Sequence, residues 1–231
     1  MDRRSARQIS SILAEQMDFY IRAAGNPGKL AILPGAFNPP TCAHMAMAEA
    51  ALSIVDEVVF VLPRAFPHKG YTAAGVDERL ALLGAAIGGN PRFSLAASRR
   101  GLFIDLAREA RSDYGPASEL FLLCGSDAAE RIIGWDYGSA DGIHKQLEYF
   151  RLLVASRGAR YEPPPALQER VRSFDLPRDL AQVSSSEVRR RIRTGEHWQD
   201  LVPAPIAPLI EANPGIWREP GDSAGSTGSL R

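Results

Sequence analysis

The stretch Leu30-Ala31-Ile32-Leu33-Pro34-Gly35-Ala36-Phe37-Asn38-Pro39-Pro40-Thr41-Cys42-Ala43-His44 decides how this chain is read. Its apolar start predicts a buried strand over 29–34. Gly35 allows a sharp turn and the close approach of a ligand to the backbone. Pro39-Pro40 disfavours helix and holds off its start. Thr41 is then a good N-cap, with His44 on the first turn of a helix over 42–55. A helix start offers unpaired N–H groups and a partial positive charge, which attract an anion. A hydroxyl, an imidazole and those N–H groups can surround a phosphate, so the stretch predicts nucleotide handling.

Outward from this point, apolar runs and helix-like segments alternate. Glu57 to Leu62 reads as a buried strand, and residues 77–87 as a helix ending at Gly88-Gly89. Residues 92–97 predict a strand and 103–113 a helix. The pattern returns at Leu120-Phe121-Leu122-Leu123-Cys124, with a helix to Ile133, and at 149–155 as another strand. Helices are expected at 165–173, 184–194 and 203–212. Such alternation predicts an α/β fold, a Rossmann-like doubly wound parallel sheet with helices on both faces. Ligands of such sheets bind at strand carboxyl ends where the winding reverses. The loops at 35–44, 63–70 and 125–127 all leave such ends. Residues 5–24 read as an amphipathic helix. The expected division is a helical extension over 1–28, one domain over 29–214, and a low-complexity, disordered tail over 215–231.

The 231 residues suffice for one substantial domain, and 45% apolar with 23% charged is ordinary for a globular protein. Lys+Arg and Asp+Glu balance at 27 each, so no global field favours nucleic acid or a membrane. Cys42 and Cys124 make neither a disulfide framework nor a metal-type spacing. With no apolar run long enough to span a bilayer and no signal-peptide core, a cytoplasmic protein is expected. The sequence leaves a homo-oligomer open.

A second basic constellation lies late in the chain, at Val183-Ser184-Ser185-Ser186-Glu187-Val188-Arg189-Arg190-Arg191-Ile192. Ser184 and Glu187 have capping-box spacing. Ser185 and Arg189 are four apart and share a helix face, with Arg193 a turn further. Such a face either grips phosphate oxygens or is a solvated basic helix. In Gly125-Ser126-Asp127 the carboxylate either caps the next helix or accepts from a ribose hydroxyl. Trp135 by itself reads as a core residue. Lys69, in Pro67-His68-Lys69, reads as a solvated loop cation.

The first string resembles the signature Gly-x-Phe-(Asp/Asn)-Pro-x-(His/Thr)-x-Gly-His of the nucleotidyltransferase superfamily, with Ala43 where many members have glycine. Its Asn-Pro-x-Thr form resembles nicotinamide/nicotinate mononucleotide adenylyltransferases. Residues 183–189 resemble the superfamily's Ile-Ser-Ser-Thr-x-Ile-Arg, with Val183 and Ser186 as departures. Gly125-Ser126-Asp127 resembles its Gly-(Ala/Ser)-Asp loop. The resemblance covers residues 29–214 and implies a nucleotidyltransferase-type fold. It implies catalysis by His44, Thr41, Lys69 and Arg189. It implies a nucleotide site at Gly35, Ala36, Phe37, Asn38, His44, Gly125, Asp127, Ser184, Ser185 and Arg189. Asp105, Trp135 and Arg157 would border the acceptor, and Arg79 would support the loop that carries Lys69. The family's Tyr-Thr-x-Asp-Thr-Leu segment is altered in this chain: in Gly101 to Leu106, Asp105 survives but Phe103 and Leu106 are apolar.

The reaction so implied is adenylyl transfer from ATP to a pyridine mononucleotide, as in NAD biosynthesis. Mg²⁺ would come with the ATP and be held by phosphates and water, so no protein-caged metal is predicted. Rival readings are the same fold with another acceptor (phosphopantetheine or an alcohol phosphate), CTP as donor, or a non-catalytic nucleotide sensor. A Rossmann dehydrogenase fits poorly, since no Gly-x-Gly-x-x-Gly follows the first strand.

Overall fold

A computed structural model describes residues 16–64, 74–138, 142–156 and 159–217. Its centre is a seven-stranded sheet. In chain order the strands are β1 (Asp18–Ile21), β2 (Lys29–Pro34), β3 (Glu57–Pro63), β4 (Phe93–Ser98), β5 (Glu119–Gly125), β6 (Arg151–Ser156) and β7 (Val171–Asp175). The helices are α1 (Cys42–Ala51), α2 (Val76–Ile87), α3 (Phe103–Tyr114), α4 (Ser126–Ile133), α5 (Gly142–Gln146), α6 (Ser185–Thr194) and α7 (Ala207–Glu211). The spatial order is β1-β4-β3-β2-β5-β6-β7, all parallel except β1 against β4.

The central strands are continuous apolar runs because both of their faces are covered. On one face Leu33, Phe60, Leu62 and Leu123 pack with Met47, Ala48 and Ala51 of α1 and Leu80, Leu83 and Ile87 of α2. On the other, Ile32, Val59, Leu122 and Val154 meet Leu106 and Ala110 of α3 and Ala129 and Ile132 of α4. A third cluster joins Val188 and Ile192 of α6 to Ala43, Leu82, Trp198, Ile206 and Trp217. That cluster carries the late basic helix back to the start of α1.

The winding runs from β2 outward to β4, then restarts at β5 on the other side of β2, so it reverses between β2 and β5. Their register is Lys29↔Glu119 through Ile32↔Leu122. Continued three residues, it sets Gly35 across from Gly125. The first and middle loops therefore leave adjacent strands at the reversal.

Three expectations change. Within the helix expected over 5–24, residues 18–21 form β1, paired antiparallel with β4 through Asp18↔Ala97 and Phe19↔Ala96. The earlier part of that segment, and the tail from 218 onward, lie outside the described residues. The helix expected over 165–173 is a short 3-10 turn, Pro165–Leu167, followed by β7, which pairs with β6. The helix α5 was not anticipated. Among the described residues no helix is long and apolar enough to cross a membrane.

A buried polar network secures β1. Glu57 is buried and accepts from Ser94 Oγ (2.6 Å) and from the Tyr114 hydroxyl (2.5 Å). Ser94 Oγ also accepts from Ala23 N–H at 2.8 Å, just beyond β1. The Arg22 guanidinium lies over the Phe19 and Tyr114 rings, 4.6 and 5.0 Å from their centroids. Tyr114→Phe leaves the buried carboxylate one donor short. It should cost about 1.5–3 kcal/mol, a fall in Tm of about 3–12 °C for a domain of this size, read by thermal denaturation.

Candidate active site

The loop 35–41 is folded by its own side chains. Phe37 takes a positive φ of 46°, an uncommon conformation for a residue with a side chain. Its buried ring packs between His44, edge-to-face (centroids 5.2 Å apart), and Phe60, tilted (5.8 Å). A Cβ on Gly35 would stand 2.8 Å from that ring. Gly35 is therefore required by the Phe37 ring, where the sequence suggested room for a ligand.

The carbonyls of this loop are tied outward. Arg79, only 3% exposed, donates from Nη1 to Ala36 O (3.0 Å) and from Nε to Gly75 O (3.1 Å). Arg189 Nη1 donates to Asn38 O at 2.6 Å, and Ser185 Oγ to Pro39 O at 2.7 Å. In a trans peptide the C=O and N–H groups point in opposite directions. Holding Ala36 O toward Arg79 therefore turns the Phe37 N–H away from it. Pro39 and Pro40 carry no N–H, and the Asn38-Pro39 bond is cis. Arg79 thus supports this first loop as well as the residues before α2. Its partners were not deducible from Arg79-Leu80 alone.

Thr41 and His44 form one unit at the start of α1. Thr41 is the extended N-cap residue, and its backbone N–H donates to His44 Nδ1 at 3.1 Å. Thr41 Oγ1 lies 2.7 Å from the same nitrogen. An Nδ1 that accepts the amide has its lone pair there, so the proton of the neutral ring sits on Nε2. The threonine hydroxyl then gives its single hydrogen to Nδ1. Thr41 is fully buried and His44 half-buried. These contacts fix the ring and leave its proton on Nε2.

At α6, Ser184 Oγ accepts from Glu187 N–H at 3.2 Å, one arm of the expected capping box. The other arm does not form. The Glu187 carboxylate is taken by Arg190 and Arg191, each at 2.8 Å, which hold it down to about 2. Val188 and Ile192 fill the third cluster, and the next stripe, Ser185 and Arg189, faces the loop. Arg193, a turn further, is exposed.

Gly125 is the N-cap of α4 and makes no side-chain cap. Asp127 is the second residue of α4 and exposed, so the carboxylate does not occupy the capping position. Ser126 Oγ and Asn38 Oδ1 are buried without a hydrogen-bond partner, and both belong to the reversal between β2 and β5. Sequence reading had not singled out Ser126. Trp135 is 55% exposed and hence no core residue. Asp105, on the first turn of α3, is paired with Arg100 at 3.2 Å. Leu106 is fully buried in the core beneath α3. Lys69 and Arg157 lie outside the described residues.

A cavity of about 710 Å³ opens elsewhere, beside the first residues of β2, β5 and β6. There Glu119 is already paired with Lys29 (4.0 Å) and Arg151 (2.6 Å). It shares no residue with the loops at the reversal. Among the described residues no three His, Cys, Asp or Glu side chains converge to hold a metal.

A doubly wound sheet with a capped imidazole at its reversal, tied to a late basic helix, defines a class. The chain belongs to the cytidylyltransferase-like family, whose model matches residues 32–191, and it is a nucleotidyltransferase. It is 32% identical over 190 residues to a probable nicotinate-nucleotide adenylyltransferase of Exiguobacterium sibiricum, covering 79% of this chain and 96% of that protein. A probable nicotinate-nucleotide adenylyltransferase of Solibacter usitatus is also 32% identical, over 192 residues, covering 78% and 95%. Among solved structures, nicotinic acid mononucleotide adenylyltransferase of Plasmodium falciparum, complexed with NaAD, has the same fold. Its TM-score is 0.61 at 18% identity, covering 80% of this chain and 96% of that one.

Proposed function

We propose that this enzyme transfers the adenylyl group of ATP to nicotinate mononucleotide. A phosphate oxygen of the mononucleotide attacks the α-phosphorus. The bond from that phosphorus to the oxygen bridging toward the β-phosphorus breaks, and pyrophosphate leaves with the electron pair. The product is a dinucleotide. Such transfer needs positioning and charge stabilisation more than covalent work by the protein.

The observation that carries this reading is the Thr41–His44 unit at the sheet reversal, tied to α6 by bonds of 2.6 and 2.7 Å. His44 donates from Nε2 to a phosphate oxygen as charge develops there, and Thr41 fixes the ring and its tautomer. The N–H groups of the 36–38 loop and the start of α6 receive the triphosphate. Arg189 and Ser185 hold the loop in that shape, and Arg189 adds positive charge. Lys69 takes part as a second cation on the phosphates, and Asp127, Asp105, Trp135 and Arg157 border the two substrates. Mg²⁺ enters with ATP. The described side chains do not fit a resident metal centre, so no step is assigned to a protein-bound ion.

A panel of acceptors tests the reading, with ATP and then CTP as donor and pyrophosphate release as the signal. Nicotinate mononucleotide with ATP should give the highest kcat/KM. Release only with phosphopantetheine, an alcohol phosphate or CTP would reassign the substrates. Tight ATP binding with no release under any condition would make the protein a sensor.

A further inference from the structure

Among the described residues two carboxyl groups are buried, Glu57 and Glu109, and they differ in one respect. Glu57 accepts from two hydroxyls, whereas neither oxygen of Glu109 has a hydrogen-bond partner. Glu109 is 2% exposed and lies on α3, one turn past Asp105, between the core residues Leu106 and Ala110. An unpaired carboxylate in such a place is costly, whereas a neutral carboxyl is much less so.

The groups acting on Glu109 are those of the turn from β4 into α3. Ser98, fully buried at the end of β4, donates from its hydroxyl to Arg100 O (2.9 Å) and accepts from Arg100 N–H (3.0 Å). The Arg100 guanidinium then reaches Asp105 at 3.2 Å. So the turn is pinned at Ser98 and at Asp105. From its own helix, Glu109 faces Asp105 and Asp113. Asp113 is itself engaged by Met17 N–H at 3.0 Å.

We infer that Glu109 is a proton-controlled positioning residue for the 99–105 loop on the acceptor side of the site. When neutral it puts no charge into the core and leaves both pins in place. A carboxylate has no hydrogen to give. It is satisfied only by taking the Ser98 hydrogen from Arg100 O, or the Arg100 guanidinium from Asp105, and either exchange loosens the loop.

Burial lifts the Glu109 carboxyl from 4.5 to about 7, with Ser98 and Arg100 pulling it down and Asp105 and Asp113 pushing it further up. The folded state therefore binds this proton more tightly than the unfolded chain. Its favourable contribution is complete below 4.5 and is lost as pH rises to about 7. The loop is set on the acid side of that window and loosened on the alkaline side.

This inference rests on the acceptor assignment above, and its test separates the two. In substrate-free protein, carbon-13 NMR of the Glu side chains should show one carboxyl, absent in Glu109→Gln, titrating near 7. In turnover, the KM for nicotinate mononucleotide should rise about fivefold from about pH 6 to about pH 8 in the wild type. The KM for ATP should stay constant, and Glu109→Gln should flatten the profile. Glu109→Leu provides a second neutral variant should the glutamine protein fail to fold. If the carboxyl titrates near 4.5, or if the neutral variants keep the wild-type KM profile, the inference is wrong. Lack of turnover with this acceptor, beside a carboxyl that titrates near 7, overturns the substrate assignment and with it the acceptor role of the 99–105 loop.

Discussion

His44→Ala should lower kcat by about 10²-fold or more while the fold and the ATP affinity change little. The imidazole is preorganised: its Nδ1 is occupied by Thr41 N–H at 3.1 Å and Thr41 Oγ1 at 2.7 Å, and its ring lies edge-on to Phe37. A donor so held needs no reorientation when charge develops on the phosphate, so its loss falls on the transition state more than on ground-state binding. Thr41→Val keeps the backbone N–H on Nδ1 and removes only the hydroxyl, so the expected loss is smaller, about tenfold. Single-turnover pyrophosphate release, with ATP affinity measured separately, distinguishes the two effects. A His44→Ala enzyme with wild-type turnover would remove the imidazole from the mechanism.

Arg189→Ala should lower kcat/KM by about 10²- to 10³-fold. Two losses combine. The variant removes a positive charge beside the site, and it frees Asn38 O, which Arg189 Nη1 holds at 2.6 Å. A displacement of about 1 Å at the reacting groups can by itself cost about 10²-fold. Lysine should rescue only in part. One ammonium cannot span Asn38 O and Ser186 Oγ, which Arg189 reaches with two separate nitrogens. Ser185→Ala removes the neighbouring tie to Pro39 O and should cost about 1 kcal/mol of stability, with a smaller kinetic loss. If Arg189→Ala loses less than about threefold in kcat/KM, α6 is a structural brace and not part of the phosphate site.

The strands that were legible in the sequence are those buried on both faces. β2, β3, β5 and β6 announce themselves as apolar runs because a central parallel strand has no polar side. The two misread segments are the edge strands. Met17, Phe19 and Ile21 of the β1 region alternate, yet Met17, Tyr20 and Ile21 also fit a helical period. What settles the matter is pairing with β4, more than seventy residues away. Likewise Leu167, Val171 and Phe174 have spacing compatible with a helix, and only pairing with β6 makes Val171–Asp175 a strand.

By itself the sequence determined the central strands β2, β3, β5 and β6, the turn at Gly35, the N-cap at Thr41 and the common face of Ser185 and Arg189. Each follows from an apolar run, from local backbone preference or from spacing along one helix. Tertiary structure decided the rest. It gave Arg79 and Arg189 backbone carbonyls as partners, left Glu109 buried without a partner, and seated α6 on a loop 146 residues earlier in the chain. Those outcomes depend on which side chains meet across the packed sheet and helices, and spacing along the chain does not encode such meetings.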